Sequence, residues 1–260
     1  NLSRRQVRKP EVFSPCIFEY IYFARPASII EGISVSGFRY ACGKKLGEQL
    51  IEERLVDNLD VITDVPATAT RGAISCGKVT GLEYFPIFDK NHYVGRSFIE
   101  STDLKREHTA ALKFTPEMGV LHELTHKLKR GVRVGKVDDS FVRGKTNRNV
   151  NEVLRETGMI EYVLDCSLSP RIEWPCVYGI DMPIRREFVA RDRTDDEVAK
   201  ELGADKVVYL PRESLRMVAG KLGLRSYCEA CFSGVYPTGI TRKDLERIEH
   251  ERIADKRNGH

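Results

Sequence analysis

The chain has 260 residues, 41% of them hydrophobic and 31% charged, enough for one large α/β domain or two small ones. Its net charge of +4 is spread rather than massed, so no nucleic-acid partner is implied, and no apolar run is long enough to span a bilayer. Seven cysteines, an odd number, argue against a disulfide framework and predict a reducing cytoplasm. The chain opens with Asn-Leu-Ser rather than Met and carries no signal-peptide pattern, so a fragment or processed product is expected.

Taken in order, residues 16–25 alternate and branch like a strand, and residues 35–55 carry apolar positions at helical spacing. Residues 59–65 form a short apolar run, expected as a buried parallel strand. Residues 68–79 follow as a helix capped by Thr68. Residues 90–99 are polar, aromatic and glycine-containing, and predict a mobile loop. Residues 117–129 are helical in pattern, 132–137 a strand, 147–157 a helix ended by Gly158, and 160–168 the next strand. Residues 199–209 give a helix end and a further strand, residues 213–222 another helix, and residues 241–260 a charged helical tail. Strands alternating with helices imply a mostly parallel sheet with ligands at the carboxyl ends of its strands.

The stretch Val137-Asp138-Asp139-Ser140-Phe141-Val142-Arg143-Gly144-Lys145-Thr146 falls at such an end. A strand, a glycine turn and a helix start point unpaired backbone N–H groups at one spot, which suits a phosphate. The two carboxylates ahead of the turn suit vicinal sugar hydroxyls or a divalent cation. Together they predict a phosphoribose site; the plain alternative is an ordinary helix cap. A P-loop is excluded, because that motif needs glycine at Asp139. Cys228 and Cys231 form a thiolate pair at metal-ligand spacing, suggestive alone.

Five segments carry a resemblance. They are Cys16-Ile-Phe-Glu-Tyr-Ile-Tyr-Phe-Ala-Arg-Pro, Lys90-Asn-His-Tyr-Val-Gly-Arg-Ser-Phe-Ile, Val137-Asp-Asp-Ser-Phe-Val-Arg-Gly, Pro175-Cys-Val-Tyr-Gly-Ile-Asp and Cys228-Glu-Ala-Cys-Phe-Ser-Gly-Val-Tyr-Pro-Thr. In this order, over roughly residues 14 to 240, the chain resembles the phosphoribosyltransferase half of the glutamine amidophosphoribosyltransferases. The resemblance implies an α/β type I phosphoribosyltransferase fold, a mostly parallel twisted sheet flanked by helices with a cysteine-bearing C-terminal arm. It divides the chain into a linker remnant (1–15), the transferase domain (16–225) and the arm (226–260). The implied reaction joins ammonia, released from glutamine in the full enzyme, to phosphoribosyl pyrophosphate, the first step of purine synthesis.

The resemblance also implies roles. Asp138 and Asp139 hold the ribose hydroxyls and Mg²⁺, with Thr68 beside the pyrophosphate and metal. Residues Ser140, Arg143, Gly144, Lys145 and Thr146 wrap the 5′-phosphate. Lys90, Tyr93 and Arg96 belong to a closing catalytic lid, and Lys113 is a downstream basic contact. Cys16, Cys176, Cys228 and Cys231 match the four ligands of a [4Fe–4S] cluster in one branch of the family, with zinc or buried thiols as alternatives. Cys42, Cys76 and Cys166 are expected to be packing residues. A separate glutaminase domain or subunit and a homo-oligomer are expected as partners, with neither nucleic acid nor membrane.

The chain departs from the family at Lys145, where a threonine is usual, and at Ala27, Ala67, His92 and Ala111, which replace charged residues. Gly135 and Lys136 interrupt a strand expected to be wholly apolar. These departures support a second expectation, a catalytically weak remnant that binds phosphoribosyl pyrophosphate or a purine nucleotide as a sensor or partner subunit. His122-Glu123-Leu124-Thr125-His126 satisfies the His-Glu-x-x-His zincin signature, with Glu152 as the imaginable third ligand. It falls in a lysine-rich stretch longer than the family usually has, so an exposed helix is expected instead.

Overall fold

The computed structural model describes residues 13–90, 114–180, 182 and 184–257. Its centre is a five-stranded sheet of β3 (Val61–Asp64), β4 (Glu83–Tyr84), β7 (Val132–Asp138), β8 (Ile160–Ser167) and β9 (Lys206–Tyr209). The strands run in the order β4-β3-β7-β8-β9 and every pairing is parallel, as the alternation of strands and helices predicts. Two short antiparallel hairpins, β1 (Ile29–Ile30) with β2 (Ile33–Ser34) and β5 (Phe88–Lys90) with β6 (Phe114–Pro116), stand outside it.

Side chains of successive strand residues point to opposite faces, and each face has its own helices. Ile62, Val137, Leu164 and Val208 pack into the core formed with α1 (Val35–Glu52), α2 (Thr70–Thr80) and α6 (Arg212–Lys221). On the other face Val61, Val134 and Val163 pack against α3 (Met118–Leu128) and α4 (Lys145–Glu156). There, too, Val198, Ala199 and Leu202 of α5 (Asp195–Leu202) cover Val207. Ser34 caps α1 by accepting from the Gly37 N–H at 3.1 Å. Helices α1 and α2 touch backbone to backbone: a Cβ on Gly43 would lie 2.0 Å from the Gly72 carbonyl oxygen. The arm contributes α7 (Ala230–Ser233) and the charged helix α8 (Arg242–Arg257). No helix among the described residues is long and apolar enough to cross a membrane.

Three expectations are corrected. Residues 16–25 are not a strand: Glu19–Phe23 is a turn of π-helix, with the Ala24 N–H donating to the Glu19 carbonyl at 3.0 Å. The carbonyls a strand would offer to a neighbour are taken by buried Arg39. Its Nε donates to Tyr20 O at 3.0 Å, and its Nη2 to Tyr22 O at 3.0 Å and Ala24 O at 2.8 Å. Only Cys16 makes a β-bridge, to Cys228. Second, Thr68 does not cap α2, which begins at Thr70 after Ala69. Its hydroxyl is engaged by Asp139 instead.

Third, Gly135 and Lys136 do not conflict with burial. Gly135 lets Ile62 approach, whose Cδ1 would stand 2.7 Å from an added Cβ. Lys136 is fully buried but directly opposite Asp165 on β8, and their ion pair closes at 2.8 Å. The zincin-like segment is an exposed helix, as expected: His122, Glu123 and His126 face solvent on α3 while Leu121 and Leu124 face the core.

Candidate active site

Asp138 ends the middle strand of the sheet, and the chain turns through Asp139 to Gly144 into α4. Both carboxylates are buried. Asp138 accepts from the Asp139 N–H at 2.8 Å and from Asn147 Nδ2 on α4 at 2.9 Å. Asp139 accepts from Ser140 Oγ at 2.7 Å and from Thr68. Burial pushes the proton affinity of both acids well above the ordinary carboxylate range. The neighbouring Asp139 charge adds to this at Asp138, while Lys136 and Asn147 oppose it. At Asp139 the hydrogen bonds from Ser140 and Thr68, and the Arg39 charge, oppose the effect of burial. Two such acids are under-compensated negative charge, which a cation or a pair of sugar hydroxyls relieves.

Gly144 stands at φ 77° and precedes α4 with no side-chain cap, so the first N–H groups of the helix lack an intrahelical partner. Phe141, buried between the acids and the glycine, packs edge-on against Tyr209. A Cβ on Gly144 would lie 2.6 Å from Leu202 Cδ2 and 3.1 Å from Val189 Cγ2. Gly144→Ala is therefore expected to cost about 1–3 kcal/mol, read by denaturant unfolding, and to weaken inorganic phosphate binding at the turn. An unchanged unfolding midpoint would show that the turn tolerates a side chain.

A second strand end contributes. Asp64, which closes β3, accepts from Thr70 Oγ1 at 2.5 Å and Tyr84 Oη at 2.7 Å, and burial raises its proton affinity. Between Asp64 and Thr70 the chain passes through a cis peptide at Pro66–Ala67. Asp64, Tyr84, Asn147 and Arg39 are absent from the expected site. A carboxylate at the end of the strand beside β7 was the available signal for Asp64. For Arg39, in the middle of a helix, there was none.

The remaining expected residues are placed as follows. Asp138, Asp139, Ser140, Gly144 and Thr68 come together. Lys145 and Thr146 open α4 on its exposed first turn. Arg143 turns outward, its Nε 3.0 Å from Glu187 Oε2. Lys90 ends β5, whereas Tyr93, Arg96 and Lys113, with the loop expected over 90–99 beyond Lys90, lie outside the described residues.

A second cluster forms where the arm meets the start of the domain. The Ile17 N–H donates to Cys228 O at 3.1 Å, and the Cys228 N–H to Pro15 O at 2.8 Å. Cys231 lies close enough to Cys16, Cys228 and Cys176 for each to raise its thiol proton affinity, on top of the larger effect of burial. Burial pushes Cys16 up to about 11. The Tyr178 N–H donates to Cys176 Sγ at 3.4 Å, and the backbone near Phe18 and Ala230 partly offsets the effect of burial at Cys16 and Cys228. Arg252 of α8 ties this region down by donating to Cys176 O at 2.9 Å. Among the described residues no group of three or more His, Cys, Asp or Glu stands at the spacing of a single metal ion. Cys42, Cys76 and Cys166 are buried in the core beside α1 and α2, as expected of packing residues.

No family model matches the chain. Among curated proteins it is similar to the amidophosphoribosyltransferase of Pseudomonas aeruginosa, 37% identical over 96% of this chain and 49% of the relative. It is 39% identical to that of Methanocaldococcus jannaschii, over 86% of this chain and 44% of the relative. The Bacillus subtilis protein is 40% identical over 87% and 45%. The chain thus spans about half the length of the curated relatives it matches. Among solved structures, the glutamine phosphoribosylpyrophosphate amidotransferase of B. subtilis complexed with ADP and GMP superposes with a TM-score of 0.72 at 37% identity, covering 88% of this chain and 48% of that one. A structure described as the allosteric regulatory enzyme of purine biosynthesis gives a TM-score of 0.73 at 37% identity, covering 91% and 49%. With the parallel sheet and the acid turn at its middle strand, the chain is similar to amidophosphoribosyltransferases over most of its own length and about half of theirs.

Proposed function

We propose that this chain is the phosphoribosyl-transfer part of an amidophosphoribosyltransferase, acting at the first step of purine synthesis. The observation that carries this reading is the buried Asp138–Asp139 pair at the carboxyl end of the middle strand, followed by an uncapped helix N-terminus at Gly144. The N–H groups of residues 144–146 would bind the 5′-phosphate, and the acid pair would orient the ribose hydroxyls. The nitrogen of ammonia bonds to the anomeric carbon as the carbon–oxygen bond to pyrophosphate breaks, the electron pair leaving with pyrophosphate and the spare proton going to solvent. The donor set of Asp138, Asp139 and Thr68, under-compensated and all oxygen, fits Mg²⁺, which when bound neutralises the leaving group. Lys90, Arg96 and Lys113 would add positive charge on the pyrophosphate side, and with Tyr93 they would exclude water.

The four thiols of Cys16, Cys176, Cys228 and Cys231 fit a [4Fe–4S] cluster by ligand count and by their gathering around Cys231, with the Tyr178 N–H donated to Cys176 Sγ. On this reading residues 16–225 are the transferase domain and 226–260 an arm whose thiols clasp it. A glutaminase domain or subunit supplies ammonia, and the protein works as a homo-oligomer in the cytoplasm.

Calorimetric titration with phosphoribosyl pyrophosphate and Mg²⁺, followed by ammonia-dependent pyrophosphate release on the same sample, tests the transferase. Binding with turnover supports it; binding without turnover replaces it with the sensor or remnant; no binding overturns both. For the cluster, anaerobically purified protein is expected to show a visible charge-transfer absorbance that Cys228→Ser removes. Colourless protein with stoichiometric zinc would exclude iron.

A further inference from the structure

Two buried asparagines on α4 make the same bond to two acids of the sheet. Asn147 Nδ2 donates to Asp138 Oδ2 at 2.9 Å, and Asn151 Nδ2, one turn further along the helix, donates to Asp165 Oδ2 at 2.9 Å. All four residues are buried, at an interface where Val134, Val150, Leu154 and Val163 otherwise pack apolar against apolar. An asparagine in such a place is kept by the hydrogen bonds it makes. The deeper pair has a structural reason: Asn151 also donates to Leu202 O at 2.8 Å, tying α4 to the end of α5, and Asp165 pairs with Lys136. Among the described residues the side chain of Asn147 is bonded to Asp138 alone, an acid of the candidate site.

Its position in the helix is equally specific. Asn147 is the third residue of α4, and the Arg148 N–H makes the helix's first internal bond, to Gly144 O at 2.9 Å. The Asn147 N–H therefore belongs to the turn that opens on the phosphate, while its side chain reaches the acid. One residue joins the two halves of the site. Asp138 takes one protein donor on each oxygen, the Asp139 N–H on Oδ1 at 2.8 Å and Asn147 on Oδ2. A single bond would leave the carboxylate free to turn about that oxygen; donors on both fix its plane. Each oxygen keeps a further lone-pair site for a sugar hydroxyl.

We propose that Asn147 is a positioning residue, holding the Asp138 carboxylate at a fixed angle to the phosphate turn so that the site selects a 5-phosphorylated sugar by both vicinal hydroxyls. This rests on the ribose site proposed above and adds the residue that sets its preference for ribose over 2-deoxyribose.

The test compares ribose 5-phosphate, 2-deoxyribose 5-phosphate and inorganic phosphate by calorimetry on the full chain with Mg²⁺, alongside thermal unfolding of each protein. The parent is expected to prefer ribose 5-phosphate over the deoxy sugar by about tenfold or more. Asn147→Ala should bring the two sugars to within about threefold of each other, and inorganic phosphate, which meets the turn alone, should change by less than about threefold. Asn147→Leu, which fills more of the same space, should behave alike and serves if the alanine variant does not fold. Asn151→Ala removes the matching bond one turn away; it is expected to lower the unfolding midpoint and keep the parent's sugar preference. The proposal is overturned if the folded Asn147 variants keep that preference. It is also overturned if Asn151→Ala loses the preference equally, because the effect would then come from the seating of α4. A parent that binds neither sugar phosphate, or both alike, overturns the ribose site and this inference with it.

Discussion

Asp139→Asn is expected to reduce ammonia-dependent pyrophosphate release by about a hundredfold or more while leaving the protein folded and, above neutral pH, more stable than its parent. The substitution keeps an oxygen for the Ser140 hydroxyl and removes the negative charge that a cation or the ribose hydroxyls would meet. If turnover is unchanged, Asp139 does not belong to the ribose site.

The stability half of this prediction follows from linkage. Burial raises the proton affinity of Asp139, and burial with the Asp139 charge raises that of Asp138, so the folded state holds protons that the unfolded chain releases near pH 4. Groups raised in this way contribute fully below their unfolded values, and that contribution is lost as pH rises through their folded values. Asp139→Asn removes one such group and relieves the other. The gap in unfolding midpoint between variant and parent should therefore widen from mildly acid to alkaline pH. Added Mg²⁺ should stabilise the parent and not the variant. A parent whose midpoint is flat with pH would mean that the two acids are compensated without a ligand. Destabilisation that only function explains is characteristic of a binding site held ready for its ligand.

Much of this site was legible in the chain because its determinants are local. A strand ending in two acids, a serine and a glycine turn occupies one continuous stretch, and its placement at the carboxyl end of a parallel sheet follows from the alternation of strands and helices; that this strand is the middle one is visible only in the fold. What stayed hidden depends on distant partners. Residues 16–25 have the composition of a strand, but the helical alternative wins because Arg39 satisfies three of their carbonyls. Thr68 has the composition of a cap, but the nearby Asp139 carboxylate takes its hydroxyl. The cysteines show the two cases side by side: Cys228 and Cys231 announce themselves by spacing. Cys16 and Cys176 reach the same place only through the fold, and without the family resemblance nothing in their spacing singles them out.

Lys136 is the clearest case of a residue whose sense lies elsewhere in the chain, and it carries the second large expectation. Lys136 and Asp165 face the α4 side of the sheet, paired at 2.8 Å with neither exposed, and Asn151 Nδ2 donates to the second Asp165 oxygen at 2.9 Å. Removing one charge strands the other in the interior, whereas removing both restores an uncharged contact. Lys136→Met is thus expected to destabilise by about 3–5 kcal/mol. The combined Lys136→Met, Asp165→Asn variant should return to within about 1 kcal/mol of the parent, since the introduced amide oxygen would still accept from Asn151. The single variant carries its own pH signature. Burial already raises the proton affinity of Asp165 and Lys136 opposes it, so without the lysine the acid takes up a proton in the folded state. Its stability contribution is then present at acid pH and lost as pH rises through the raised value, which makes the single variant weakest in alkali. Denaturant unfolding of the parent, both single variants and the double variant at about pH 5.5 and 8.5 decides the matter. If the double variant is no better than Lys136→Met, the pair is not compensating its own burial. The charge of Lys136 would then be serving Asp138, two residues further along the same face of the strand.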